Sequence, residues 1–394
     1  MVKGGYCFCN QTSVAMQFDL TDEQRAIRDM AGRFTADAII PHAALWDEKC
    51  IFPRDTVKAA AQLGFGAICV AAEQGGAGLG RLEAALVMEA MAYGCPSTSA
   101  FISIHNMAGW MVDRFGSAVL KAKYLPSLVT CEKLASYCLT EPGSGSDAAG
   151  LKTRAVRDGD NYIVSGSKAF ISGGGVNELY LTMVRTGGEG AKGVSCLMIE
   201  KEMAGVSFGA PERKLGWHSQ PTAQVNFDDV RVPAENLLGA EGQGFNIAMQ
   251  ALDGGRINIG ACSLGGAQRC LDEAVTYTRT RRQFGQAIAD FQATQFTLAD
   301  METGLQAARA LLYFAADKVT AGAPDATRFS AMAKRFATDT AMQVADRALQ
   351  LHGGYGYLRD FPIERIYRDL RVHSILEGTN EIMRVIIARE MLRQ

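Results

Sequence analysis

The spacing of apolar residues changes twice along this chain, so it must fold as helical and β segments in series rather than as one repeating architecture. From about Thr21 to Lys133 the apolar positions recur at helical intervals. Thr21-Asp22-Glu23-Gln24 reads as a capping box, and Ile27, Ala31 and Phe34 follow on one face. Pro41 ends that helix, and Gly75-Gly76-Ala77-Gly78-Leu79-Gly80 is a flexible connection before a helical run from Leu82 to Tyr93. From Ser136 to about Pro233 short alternating or apolar runs are broken by turn signals. Asp158-Gly159 separates Leu151–Arg157 from Asn161–Ser165 as a hairpin, and Glu178–Arg185, Val194–Glu200 and Ala223–Val232 read as further strands. Helices return from Gly244, with one stripe through Leu264, Leu271, Val275 and Thr278 and another through Phe329, Met332, Phe336 and Thr340. The expected fold class is α+β in three parts: an N-terminal helical domain over 16–135, a middle β domain over 136–240 and a C-terminal helical domain over 241–394.

A chain of 394 residues with 48% hydrophobic and 21% charged residues has the composition of an ordinary globular protein with a sizeable core. The formal net charge of -2 and the lack of a long Lys/Arg block argue against electrostatic capture of nucleic acid or an anionic membrane. No apolar run approaches the length of a membrane span. Ten cysteines are scattered without CxxC pairs, usage that suits a reducing compartment and small buried hydrophobes such as Cys69. Cys7-Phe8-Cys9 is too isolated for a metal site, and no metal is expected. The first fifteen residues lack a basic n-region and an apolar h-region and read as a tail, with Met16 an alternative start.

One motif is a decoy. Gly188-Glu189-Gly190-Ala191-Lys192-Gly193 matches GxGxxG, but a dinucleotide fingerprint must open a helix. Here it opens Val194-Ser195-Cys196-Leu197-Met198-Ile199, a strand pattern, so it reads as a hairpin turn. Leu139-Thr140-Glu141-Pro142-Gly143-Ser144-Gly145-Ser146-Asp147 has another character: its glycines free backbone N–H groups and its hydroxyls add donors, which suits a flavin edge and a diphosphate, or equally a solvated inter-domain turn. In Lys168-Ala169-Phe170-Ile171-Ser172-Gly173-Gly174, strand alternation puts the Phe170 ring and the Ser172 hydroxyl on one side, where they could meet a heteroaromatic cofactor. Arg281 offers a planar fork for a diphosphate, or is an ordinary helix-end cation. Near the C-terminus, Glu377 sits in Ser374-Ile375-Leu376-Glu377-Gly378-Thr379-Asn380. Ile375 and Leu376 make one flank apolar, and a carboxylate desolvated in this way has a raised pKa, as a general base needs. Alone, such a carboxylate is more often a charge in the first turn of a helix.

The ordered set Tyr137–Asp147, Lys168–Gly174, Asp253-Gly254-Gly255-Arg256, Arg281–Gly285, Gln350–Gly354 and Leu376–Asn380 strongly resembles the acyl-CoA dehydrogenases, from about Phe18 to Arg393. The stretches Thr98–Asn106, Gly216–Thr222 and Gly255–Ile259 resemble its branch acting on short branched substrates. The resemblance implies an N-terminal helical domain, a middle β domain and a C-terminal four-helix bundle, with FAD between the last two. Tyr137, Cys138, Leu139, Thr140, Gly145, Ser146, Phe170, Ile171 and Ser172 are implied to line the flavin, with Ser172 at its reactive ring nitrogen. Many relatives carry Trp and Thr where this chain has Phe170 and Ser172, which keeps the aromatic face and the hydroxyl. Arg281, Gln283, Phe284, Phe291, Gln292, Gln350, Gly353, Gly354, Thr379 and Glu381 would complete the cofactor contacts, partly from a neighbouring subunit. Ser146, Asp253, Gly254, Gly255, Arg256, Gly378 and Arg389 resemble acyl-CoA contacts.

Glu377 matches the family's base, which takes the α-proton of the thioester while the β-hydrogen leaves as hydride to the flavin. Its backbone N–H and a ribityl hydroxyl would hold the thioester carbonyl. Some relatives place the base on another helix, near Gly254; neither Gly254 nor Gly255 carries a carboxylate. His105 and His373 match no catalytic role and are expected to pack or hydrogen-bond. The implied reaction converts isobutyryl-CoA to methacrylyl-CoA, with 2-methylbutyryl-CoA or butyryl-CoA as alternative substrates and electron-transfer flavoprotein as acceptor. A homotetramer in a bacterial cytoplasm or mitochondrial matrix is implied. A DNA-associated flavoprotein of the same family, or a catalytically silent scaffold, are the competing readings.

Overall fold

A computed structural model describes residues 19–393. The tail, Cys7, Cys9 and Met16 lie outside the described residues. The N-terminal part contains α1 (Asp22–Phe34), α2 (Ala43–Lys49), α3 (Arg54–Gln62), α4 (Arg81–Gly94), α5 (Pro96–Phe115) and α6 (Ala118–Val129). The capping box forms as expected: Thr21 Oγ1 accepts from the Gln24 N–H at 3.2 Å and Gln24 Oε1 from the Thr21 N–H at 3.0 Å. In α4, Ala84 to Met88 are five consecutive buried residues, so this helix lies inside the molecule rather than on its rim. It packs on α1, α5 and the first long helix of the C-terminal part.

The middle part is one twisted, mostly antiparallel sheet of β1 (Ala135–Cys138), β2 (Arg154–Asp158), β3 (Asn161–Ser172), β4 (Leu179–Arg185), β5 (Val194–Glu200), β6 (Val206–Phe208), β7 (Thr222–Pro233) and β8 (Leu237–Leu238). The order is β6-β7-β3-β2-β4-β5-β8, with β1 parallel to β4. The hairpin at Asp158-Gly159 joins β2 to β3 in the expected place. Two boundaries differ from expectation. Strand β2 begins at Arg154 rather than Leu151, because the N–H groups of Lys152 and Thr153 donate to the buried Glu141 carboxylate, at 2.7 and 2.9 Å, instead of to a neighbouring strand. Strand β3 runs on to Ser172 through two register shifts. Gly193 closes a short turn into β5, so the GxGxxG segment opens a strand and no helix.

The C-terminal part contains α7 (Gly244–Thr280), the small hairpin β9 (Arg282–Gln283) and β10 (Gln286–Ala287), α8 (Gln292–Thr320), α9 (Ala326–His352), α10 (Ile363–Leu370) and α11 (Asn380–Leu392). Helices α7, α8 and α9 pack along one another and α11 covers α9. The expected stripe on α9 is corrected. Of its members Thr340 is buried, but Phe336 is exposed and Phe329 and Met332 are only half-buried, whereas Ala333, Lys334, Ala337, Thr338 and Ala341 are buried. Close approach of three helices leaves room only for small side chains on the inner face, which displaces the large ones outward.

Candidate active site

Glu377 lies three residues before α11, whose cap is the Thr379 hydroxyl, so it is not a first-turn charge. Its φ of 57° and that of Gly378, 87°, are both left-handed, which turns the chain sharply between the short helical turn Arg371–Ser374 and α11. The carboxylate folds back onto α7. A Cβ built on Gly255 would stand 2.4 Å from Glu377 Oε2, so this glycine is the seat of the acid. At Gly254 the corresponding Cβ would meet the Arg81 guanidinium at 2.5 Å. Of the two glycines, Gly255 is therefore the one that borders the carboxylate. Glu377 Oε2 is shut off from solvent and has no hydrogen-bond partner among the described residues. Burial pushes the carboxyl up to about 7, against the opposing charges of Arg256 and Lys334. The dry flank is narrower than expected: Leu376 packs against the core, but Ile375 is 52% exposed and points away.

Arg256, buried on α7, donates from Nε to the Glu377 carbonyl at 3.3 Å and from Nη1 to Asp253 Oδ1 at 2.7 Å. Asp253 also accepts from the hydroxyls of Thr327 at 2.6 Å and Ser330 at 3.2 Å, so its carboxylate is held inside the protein. Tyr137 lies close enough that the Glu377 charge adds to burial in raising its phenol. Gly378 is part of the same turn, and Thr379 caps α11. Glu381 and Arg389 are exposed further along α11, on the outer face of that helix.

A second group gathers around the middle sheet. Tyr137 and Cys138 end β1, and Leu139 and Thr140 continue from it; the Ala169 N–H donates to the Thr140 carbonyl at 2.9 Å, joining this segment to Phe170, Ile171 and Ser172 of β3. Phe170 has φ 58° within the second register shift and is 67% exposed, on a strand whose neighbours Ala169 and Ile171 are buried. The bulge thus turns an aromatic ring out of the sheet. Ser172 Oγ accepts from Gln220 Nε2 at 2.6 Å, while Gln220 Oε1 and the Nε1 of Trp217, three residues earlier, are buried without partners among the described residues. Gly143 and Gly145 face open space, and Ser146 is exposed beside them. Lys168, fully buried, anchors this loop through Glu141 Oε1 at 2.8 Å and the Leu139 carbonyl at 3.1 Å. An outward aromatic face, orphaned polar atoms and an open glycine loop suit a planar, polar-edged cofactor such as a flavin.

The remaining residues form a third group at the far end of α7. Arg281, Gln283, Phe284, Gln292, Gln350, Gly353 and Gly354 are exposed and Phe291 is half-buried. The group is held together by Tyr277, which stacks on His352 at 4.2 Å, by Arg281 over Tyr355 at 5.6 Å and by the Phe284–Phe291 edge contact at 6.4 Å. No hydrogen bond or ion pair among the described residues joins it to the middle-sheet group. The two histidines are structural: His105 bridges the Leu128 carbonyl and the Ala135 N–H, at 2.8 and 3.2 Å, and His373 Nδ1 meets Ser263 Oγ at 2.7 Å. Sequence reasoning missed Lys334, Lys168 and Arg81, because a lysine or arginine in a helix or strand reads as surface charge until its burial is seen.

The descriptions "Acyl-CoA dehydrogenase, N-terminal domain", "middle domain" and "C-terminal domain" match residues 21–132, 136–230 and 242–392 respectively. The chain belongs to the acyl-CoA dehydrogenase family. Within the family it is 56% identical over 373 residues to a protein described as mitochondrial isobutyryl-CoA dehydrogenase of Dictyostelium discoideum, covering 94% of this chain and 90% of that one. It is 52% identical over 375 residues to the protein of the same description from Bos taurus, covering 95% and 90%. A solved structure concerned with the electron-transferring flavoprotein of Acidaminococcus fermentans matches with a TM-score of 0.94 and 41% identity, covering 96% of this chain and 100% of that one. Acyl-CoA dehydrogenases use FAD, and this protein is an FAD-dependent oxidoreductase.

Proposed function

We propose that the protein dehydrogenates a short branched acyl-CoA, isobutyryl-CoA to methacrylyl-CoA, with Glu377 as the α-proton base. The single observation that carries the chemistry is the Glu377 carboxylate itself, seated on Gly255 with a dry, unpartnered Oε2. An ordinary Glu, near 4.3, is far too weak a base for a thioester α-proton. Raising it to about 7 narrows the gap from one side. From the other, a donor must stabilise the charge that develops on the thioester oxygen. The Glu377 N–H, which has no acceptor among the described residues, is free for that task. FAD, when bound, supplies the acceptor for the β-hydrogen. Phe170, Ser172, Gln220 and the Leu139–Ser146 loop would hold it from this chain, with Arg281, Gln283, Phe284, Phe291, Gln292, Gln350, Gly353 and Gly354 contributing across a subunit boundary and Thr379 and Glu381 from the turn into α11. Gly254, Gly378 and Arg389 would border the acyl-CoA with Ser146, while Asp253 orients Arg256.

The acyl chain is assigned from the two isobutyryl-CoA dehydrogenases, whose likeness extends over nearly the whole chain. Electron-transfer flavoprotein is the electron acceptor in this reading. The compartment is a bacterial cytoplasm, or the mitochondrial matrix in a eukaryote, which suits the eight described cysteines, all free. No described helix is long and apolar enough to cross a membrane. Rates of flavin reduction on a panel of isobutyryl-, 2-methylbutyryl- and butyryl-CoA test the substrate. Isobutyryl-CoA should be fastest, ahead of 2-methylbutyryl-CoA by the roughly 10- to 200-fold that one methylene can confer; a clear preference for its straight-chain isomer butyryl-CoA would refute the assignment.

A further inference from the structure

We propose that Lys334 is a positioning residue for the catalytic base: its ammonium grips the carbonyl after Glu377, fixes the left-handed turn and supplies a positive charge beneath the carboxylate. The inference rests on Glu377 being the base.

Lys334 lies on the inner face of α9 and is 0% exposed. Its Nζ donates to the Gly378 carbonyl at 2.7 Å and to Asn380 Oδ1 at 2.9 Å. Among the described residues no carboxylate pairs with it within ion-pair distance. A buried ammonium with only neutral oxygens for partners is costly, and an apolar side chain of similar volume would fill the site with less penalty. Burial accordingly pushes Lys334 down to about 7, with Glu377 opposing that change and Arg256 reinforcing it. Filling space is therefore a poor reason for a lysine here.

The geometry offers a better one. Glu377 and Gly378 are consecutive left-handed residues, and for Glu377 that conformation is strained. Their two carbonyls are each held by a cation, Glu377 by Arg256 from α7 and Gly378 by Lys334 from α9. Fixing both carbonyls fixes the 377–378 and 378–379 peptide planes, and the Glu377 side chain that projects from this turn then keeps its orientation without help from substrate. Asn380 extends the clamp, because its Nδ2 donates to Thr338 at 2.9 Å and Asp339 at 2.7 Å on α9. The titratable groups that interact with Glu377 or Lys334 are Tyr137 on β1, Arg256 and Cys262 on α7, Asp339 on α9, His373 on the turn Arg371–Ser374 and Glu381 on α11. Arg256 and the protonated form of Lys334 favour the ionised base, and Asp339, Glu381 and Glu377 itself help to keep the proton on Lys334.

The test is anaerobic flavin reduction by isobutyryl-CoA in the FAD-loaded enzyme, followed against pH for wild type, Lys334→Met, Lys334→Gln and Glu377→Gln. In wild type the limiting rate rises with pH through about 7, as the base ionises. In Lys334→Met the limiting rate falls about tenfold or more with the substrate Kd little changed, because a small misplacement of the base is costly. Its acid limb moves up by about one pH unit, since the carboxylate has lost a cationic neighbour. A side chain that only fills space would not move that limb. Lys334→Gln keeps a donor without the charge and should show the same displaced limb, so it serves if the Met variant does not fold. A limb and rate at wild-type values in whichever variant folds would overturn the inference. Failure of the wild type to bleach, or normal bleaching by Glu377→Gln, would instead remove the assignment of the base on which it rests.

Discussion

At Glu377 burial and charge pull against each other within one carboxyl group. Burial dominates and lifts the group to about 7, while Arg256 and Lys334 keep it from rising further. The balance has a stability cost with a definite sign. A carboxyl raised in the folded state binds its proton more tightly there, so stability declines as pH rises from 4.5 through about 7. In the proposed reaction this cost is accepted because a base for the α-proton must be dry. Gly255 is the other half of this arrangement. An alanine there would bring a Cβ to 2.4 Å from Oε2, and the flexible acid rather than the backbone would move. Gly255→Ala is therefore expected to keep a near-normal melting temperature yet lose about 100-fold in the limiting rate of flavin reduction. Stopped-flow traces beside thermal melts check this, and a wild-type rate would show that the carboxylate does not need that seat. The burial of Glu377 was legible in part through its neighbour Leu376. The left-handed backbone of Glu377 and its partner Lys334 were not, because both depend on a helix 43 positions earlier in the chain.

Among the elements, α4 and β5 were readable as apolar runs because both are buried nearly throughout, and the start of β7 because its burial alternates as a strand's should. Helix α9 was not. Its large residues Phe329, Met332 and Phe336 spell an amphipathic stripe, yet the buried face is mostly alanine and hydroxyl side chains, with Lys334, Val344 and His352. Hydrophobicity scales weight side-chain size, whereas the centre of a tight bundle selects for smallness, so pattern and packing diverge there. Strand β3 shows a related limit. Alternation expects Phe170 and Ser172 on one side, but the register shift that turns Phe170 out of the sheet interrupts that alternation and has no signature in the sequence. Strand β2 began late for a local reason: Glu141 captures two N–H groups that would otherwise extend the ladder. The same carboxylate pairs with Lys168 in the interior, so one buried ion pair both trims a strand and anchors the open glycine loop.

For the whole molecule, the residues of the site fall into clusters at two ends of α7. The middle sheet presents Phe170, Ser172 and the glycine loop, while Arg281, Gln283 and Phe284 stand on a small hairpin at the distal end of the helix, with Phe284 95% exposed. An aromatic side chain held out in this way, together with the outward Phe336 and Tyr357, is costly on an isolated chain and is resolved by covering it. We infer a homotetramer in which one chain's hairpin completes its neighbour's cofactor site. Static light scattering of the purified enzyme should give the mass of four chains, and a monomer that retains tightly bound FAD would contradict it. The central claim concerns chemistry, and anaerobic titration with isobutyryl-CoA tests it most directly, following the flavin spectrum of wild type and Glu377→Gln. Wild type should bleach on addition of substrate, whereas Glu377→Gln should bind FAD and substrate yet stay yellow. Bleaching of both at similar rates would show that the α-proton leaves by another route.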